Sequence, residues 1–431
     1  MTDVPRIVIS APSAGHGKTA VAVGLLAALN ARDLTATGFK LGPDYVDAGY
    51  LGMACGHIGR NLDPRLTSPG RISDLFAHGS NGSDIAIVEG AMGMFDGTSA
   101  ANKVYSTAQV AQHLRAPVVL VVDAASSAQS VAALVHGFRT WDELAWLGGV
   151  ILTRVASPRH EQLLRDALAA VDVPVLGAIR RHQNASLPPR YQGLVPVAER
   201  NAEAVRTIRR LGEVVLDSVD LDRLLSIARS APRLAESSWS PAEALAGTGY
   251  HAPAAPPLVA VAGGSFITYS YAENVELLQS AGARVVAFDP LRDDRLPAGT
   301  QAVVFGGGFP EWYVEELSSN VDLGADLSRL AKSGAPIAAE SSGLIWLTEE
   351  LDGRPMSGGL TAATRGIEQH VLGYREATAC ADSVLFRAGD VITGHKNHRT
   401  QVSPRAGDVA AWTWRNGRAE GYIERNTHAS Y

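Results

Sequence analysis

Pro12-Ser13-Ala14-Gly15-His16-Gly17-Lys18-Thr19 follows the apolar run Ile7-Val8-Ile9 and precedes an apolar, helix-like stretch over residues 20–29. A strand, a glycine-rich turn and an apolar helix in that order form a phosphate-binding loop, whose backbone N–H groups and helix N-terminus face an anion. Read this way, Ser13, Ala14, Gly15, His16, Gly17, Lys18 and Thr19 contact the phosphates of a nucleotide. Lys18 reaches the β- and γ-phosphates, and the Thr19 hydroxyl sits on Mg²⁺. Pro12 occupies the first glycine of G-x-x-x-x-G-K-[ST], so the flanking strand and helix carry the assignment as much as the string does.

Downstream, residues 35–39 read as a second strand that runs into Lys40-Leu41-Gly42-Pro43-Asp44-Tyr45-Val46-Asp47. Gly-Pro makes an exposed loop here. It sets a lysine and two carboxylates just past a strand's C-terminal end, where open α/β sheets bind ligands. A second acidic position follows in Ile85-Ala86-Ile87-Val88-Glu89-Gly90, an apolar strand ending in a carboxylate and a glycine-rich turn. Mg²⁺ takes a few carboxylates together with substrate phosphate oxygens, so Thr19, Glu89 and Asp44 form a chemically sensible set. Further apolar strands at residues 117–123, 148–153 and 173–177 alternate with helix-length segments, including residues 161–170. Strands without polar alternation, separated by helices, predict a parallel sheet covered on both faces, so the first domain is a doubly wound P-loop α/β domain over residues 1–229.

At 431 residues the chain exceeds one ordinary core, which predicts two or three domains. Its 38 basic and 44 acidic residues leave a net charge of −6, which gives no electrostatic case for nucleic acid or a membrane surface. Cys55 and Cys380 are too few and too far apart for a disulfide framework, which fits a reducing compartment. No apolar run approaches the roughly 18 residues of a membrane helix, so a cytoplasmic enzyme is expected.

Residues 230–257, rich in Ala, Pro, Ser and Gly, read as a linker. A second α/β series follows over residues 258–431, with strands at 258–262, 284–288 and 302–305, the turn Gly306-Gly307-Gly308-Phe309-Pro310-Glu311 and a helix at 322–333. Next comes Pro336-Ile337-Ala338-Ala339-Glu340-Ser341-Ser342-Gly343, a strand entering a sharp turn and a helix, which is the layout of a nucleophile elbow. His395, His398 and His428 stay open as bases, metal ligands or polar surface, and the cysteines are not spaced to complete a zinc site with them.

Taken together, these motifs resemble the cobyrinic or hydrogenobyrinic acid a,c-diamide synthase family. The resemblance runs through Ala11 to Thr19, Phe39 to Asp47, Asn61-Leu62-Asp63-Pro64, Val88-Glu89-Gly90, Gly306 to Glu311, Leu372-Gly373-Tyr374-Arg375 and His428-Ala429-Ser430-Tyr431. It implies a dethiobiotin-synthetase-like ATP domain followed by a class I glutamine amidotransferase-like domain. It also implies a reaction in which ATP phosphorylates a substrate carboxylate and ammonia displaces the phosphate. By resemblance, Lys18, Asp44, Asp47 and Glu89 serve catalysis, and Lys40, Tyr45 and Asp63 face the substrate. The implied partners are a small polycarboxylate and ammonia or an amine, with a homodimer as the expected assembly.

This sequence departs from the family pattern in the second domain. The family elbow carries a cysteine nucleophile, and here the position is Ser341, an alcohol that needs a well-placed base. Family members continue past His-Ala-Ser-Tyr to a histidine segment that activates the cysteine, whereas the sequence ends at Tyr431. Lys396 and Asn397 replace the family's acidic and aromatic residues between His395 and His398. The expectation is therefore an ATP-dependent amide ligase whose glutaminase half is inactive. Thr153 stands where the family often has a base-reading asparagine, so phosphate binding is better supported than adenine selectivity. Two alternatives accompany this reading: a repurposed ligase acting on another acid or amine, and a non-enzymatic nucleotide-dependent scaffold.

Overall fold

The computed structural model describes residues 2–97, 105–181, 189–190, 193–194, 201–414 and 416–431. It divides into two units, Met1–Ser240 and Pro241–Tyr431.

In the first unit, seven strands form a sheet: β1 (Arg6–Ser10), β2 (Ala36–Leu41), β3 (Arg60–Leu62), β4 (Ile85–Glu89), β5 (Val118–Asp123), β6 (Leu147–Val155) and β7 (Val175–Arg180). The spatial order is β3-β2-β4-β1-β5-β6-β7, and every adjacent pair is parallel. Every residue of β1 and β4 is buried, as apolar strands covered on both faces require. Ile7 and Ile9 of β1 point into a core shared with α1 (Lys18–Asn30), α2 (Tyr45–Cys55), α7 (Asn201–Ser218) and α8 (Leu221–Arg229). Val8, one residue out of phase, points into the opposite core with α3 (Ile72–Gly79), α4 (Thr107–His113), α5 (Ser130–Thr140) and α6 (Pro158–Ala169). The doubly wound architecture read from the sequence is the architecture of this unit.

The second unit is also α/β. Its central sheet runs Arg284–Phe288, Leu258–Ala262, Ala302–Phe305, Ile337–Glu340, Thr427–Ser430 and Tyr422–Glu424, parallel except for the last pair. A hairpin of two long strands, Ala363–Ala379 and Val391–Ser403, stands beside it.

The segment predicted as a linker, residues 230–257, is shared between the units. Leu234 bonds Thr2 through both backbone groups, and Trp239 donates its backbone N–H to Asp74 and stacks edge-on against His78, so residues up to 240 belong to the first unit. Pro241–Ala246 forms a short helix, and the Tyr250 hydroxyl donates to the Ala281 carbonyl, so this part belongs to the second. Both cysteines are free, Cys55 buried and Cys380 exposed. No helix among the described residues is long and apolar enough to cross a membrane.

Candidate active site

The loop after β1 turns through Gly15 and Gly17, at φ 87° and 93°, backbone that a side chain would strain. It delivers Lys18 and Thr19 to the first turn of α1. Several contacts hold it from outside. The Asp123 backbone N–H donates to His16 Nδ1 at 2.9 Å, which leaves the proton of the neutral ring on Nε2. The Thr153 hydroxyl donates to the His16 carbonyl at 3.0 Å, and Arg154 reaches the Gly15 carbonyl at 2.6 Å while pairing with Asp123 at 3.1 Å. Burial lowers the basicity of His16, against the pull of Asp123. Asp123 and Arg154 went unread in the sequence, because nothing local marks residues at the ends of β5 and β6 as neighbours of residue 16.

Beside the loop lies a buried cluster of charge. Parallel pairing of β2 and β4 sets Lys40 in register with Glu89. Lys40 Nζ stands 2.8 Å from Glu89 Oε1 and 2.5 Å from Asp47 Oδ2. The Thr19 hydroxyl donates to Glu89 Oε1 at 2.5 Å and lies 3.5 Å from Asp47 Oδ2. Glu89 is fully buried, and its second oxygen, Oε2, has no hydrogen-bond partner. Burial pushes its carboxyl up to about 7, with Asp47 adding to the rise and Lys40 opposing it. For Lys40, burial disfavours the charge, but Glu89 and Asp47 outweigh it and hold the ammonium on. Lys18 is held by the carbonyls of Ser13 and Met92, and burial together with Lys40 lowers its affinity for a proton.

The other residues named from the sequence fall nearby in different roles. Asp44 caps α2, one carboxylate oxygen accepting the N–H groups of Val46 and Asp47 at 3.0 and 3.1 Å. Tyr45 is the first residue of that helix. Asp63 is buried and accepts from the backbone of Arg65 and Leu66, closing the turn after β3. Among the described residues, no three His, Cys, Asp or Glu side chains converge as a metal cage. What is assembled is two carboxylates, one of them with an orphaned buried oxygen, and a hydroxyl, a set of hard donors that fits an Mg²⁺ ion completing its shell with water and phosphate oxygens. Next to the loop, a cavity of about 310 Å³ is lined by Gly15, His16, Thr153, Ile179, Leu211 and Val215, among others.

In the second unit, Ser341 sits between the strand Ile337–Glu340 and the helix Ser342–Leu347 at φ 47°, ψ −97°, a strained conformation for any residue with a side chain. Its N–H donates to the Ser430 carbonyl at 2.8 Å. Lys396, buried in the long hairpin, pairs with Glu420, which also binds Arg405 at 2.8 Å, and its ammonium lies over the rings of Trp414 and Tyr431. Asn397 Oδ1 lies 2.8 Å from His370 Nε2 and accepts its N–H. His395 packs against Tyr374, His398 stacks on Tyr431 and His428 bonds Ser383, so the structure gives each of the three a packing or hydrogen-bond partner.

The chain matches two domain families in sequence: a CobQ/CobB/MinD/ParA nucleotide binding domain over residues 7–194 and a CobB/CobQ-like glutamine amidotransferase domain over residues 259–431. It is 51% identical to a hydrogenobyrinate a,c-diamide synthase of Streptomyces coelicolor, across 99% of this chain and 94% of that protein. A hydrogenobyrinate a,c-diamide synthase of Mycobacterium tuberculosis is 43% identical with the same coverage. A cobyrinate a,c-diamide synthase of Synechococcus is 36% identical, again across 99% of this chain and 94% of its own length.

Proposed function

The chain belongs to the cobyrinate and hydrogenobyrinate a,c-diamide synthase family, and from that membership we propose that it amidates carboxylates of a corrinoid polycarboxylic acid at the expense of ATP. The observation that carries this reading is the buried Thr19–Glu89–Lys40–Asp47 cluster standing against the phosphate loop. A carboxylate oxygen of the acid takes the γ-phosphoryl group and ADP leaves. Ammonia then attacks the acyl carbon, the C–O bond to phosphate breaks, and the amide nitrogen loses a proton to solvent.

Phosphoryl transfer is chiefly positioning and charge neutralisation, and the residues divide that work. Backbone N–H groups of residues 13–19 cradle the phosphates, and Lys18 follows the charge that passes to the leaving oxygen. Thr19 and Glu89, through its orphaned Oε2, would hold Mg²⁺ with Asp47 and Asp44 close behind, and the ion would neutralise phosphate charge. Lys40 keeps Glu89 and Asp47 together as a compact unit, and Asp44, Tyr45 and Asp63 border the side on which the acid enters. The cavity between the loop, Ile179 and Leu211 suits the nucleoside.

The serine at the elbow supports a second unit that does not release ammonia from glutamine, because an alcohol is a far weaker nucleophile than a thiolate without a dedicated base. Purified chain with Mg²⁺, ATP and hydrogenobyrinic or cobyrinic acid is expected to release ADP and form amides with ammonium, while glutamine yields no glutamate. Sustained glutamate release would sink the second part, and ADP release independent of the acid would sink the first.

A further inference from the structure

We propose that Met92 is a positioning residue for Lys18, acting through its backbone carbonyl and not its side chain. This rests on the phosphate-binding role given to Lys18 above. Met92 follows β4 in the turn Gly90-Ala91-Met92-Gly93, and it lies at φ 47°, in the left-handed region that a long side chain avoids. That conformation points the Met92 carbonyl at Lys18 Nζ, which it accepts in a hydrogen bond.

Both flanks of the residue are fixed. The Thr107 hydroxyl donates to the Ala91 carbonyl at 3.0 Å, Asp96 accepts the Gly93 N–H at 2.8 Å, and the Met94 N–H donates to the Ala11 carbonyl at 2.9 Å. A Cβ at position 93 would stand 2.6 Å from the Pro12 carbonyl oxygen, so the turn is seated directly on the start of the phosphate loop. The side chain of Met92 takes no part in this, being 61% exposed. Backbone strain that persists because its surroundings over-determine it, next to a reacting group, is the signature of a positioned acceptor. The carbonyl fixes where the ammonium stands between the phosphate loop and the Glu89 cluster.

The test uses the full-length chain, reading ATP affinity by calorimetry with Mg²⁺ present and, separately, ADP release with acid and ammonium. Met92→Val, which resists the left-handed region, is expected to lose about tenfold in ATP affinity. Met92→Gly, Met92→Asn and Met92→Ala, none of which resists that region more than the parent methionine, should stay within about twofold of the parent. In a Lys18→Ala background, Met92→Val should cost nothing more. The proposal is overturned by equal losses in the glycine and valine variants, by an unchanged valine variant, by a tenfold loss in the asparagine variant, or by a valine effect that survives removal of Lys18. Should the valine variant not fold, Met92→Thr, which is also β-branched, takes its place with the same expected loss. ATP affinity is read without the acid, so a parent chain that binds ATP but forms no amide refutes the proposed substrate and leaves this test standing.

Discussion

At the residue scale, Glu89 concentrates the problem of the site: a carboxylate with no solvent, one oxygen shared by Lys40 and Thr19, the other orphaned. Its carboxyl is raised from 4.5 to about 7, so between those values the folded chain holds a proton that the unfolded chain releases. Stability contributed by this group is therefore present at low pH and lost as pH rises through that window, by roughly 1–3 kcal/mol. Urea unfolding of the parent and of Glu89→Gln from pH 4.5 to 8 checks this: the two curves should diverge in slope, the glutamine variant lacking the decline. The same proton competes with a bound cation, so ADP release should climb through neutral pH. Glu89 was legible as an acid because it ends an apolar run. Its partnership with Lys40 was not, since the register between two parallel strands leaves no local trace across the 49 residues that separate the pair. Met92 was invisible for a different reason: a methionine advertises a side chain, and here the carbonyl does the binding.

At the scale of elements, strand-turn-helix units were read well wherever an apolar run met a glycine-rich turn. Strands at Leu258–Ala262, Arg284–Phe288 and Ala302–Phe305 fall on the predicted residues, and the elbow turn at Ser341 was recognised from the strand before it. The hairpin Ala363–Ala379 with Val391–Ser403 escaped, because its residues mix polar and apolar types without a period of two and its stability comes from pairing across the hairpin. The elbow makes its own prediction. Ser341→Gly removes the side chain from a strained backbone, and the relief exceeds the entropy glycine adds to the unfolded chain, for a net gain of about 1 kcal/mol. The melting midpoint of the second unit should rise by about 2–4 °C, measured by calorimetry. An unchanged or lower midpoint would mean that the serine side chain stabilises the turn it strains.

For the whole molecule, composition located the division between units only broadly. An Ala, Pro and Ser-rich stretch looked like free linker, yet Leu234 and Trp239 anchor its first part and Tyr250 its last, and the division falls between Ser240 and Pro241. Single apolar residues inside a polar stretch are weak signals in sequence and strong ones in packing. Each unit has its own sheet and core, so calorimetry should resolve two transitions. ATP with Mg²⁺ should raise only the one that belongs to residues 1–240, by mass action on the native state; a single transition that moves as a whole would contradict this. The elbow in the second sheet shows what such autonomy permits. Its conformation is set by flanking strands and by the Ser430 carbonyl, none of which depends on the identity of the atom at its tip. Backbone shape alone therefore files this turn with nucleophile elbows, and the chemistry it can perform rests on the single atom at its tip, the Ser341 hydroxyl oxygen.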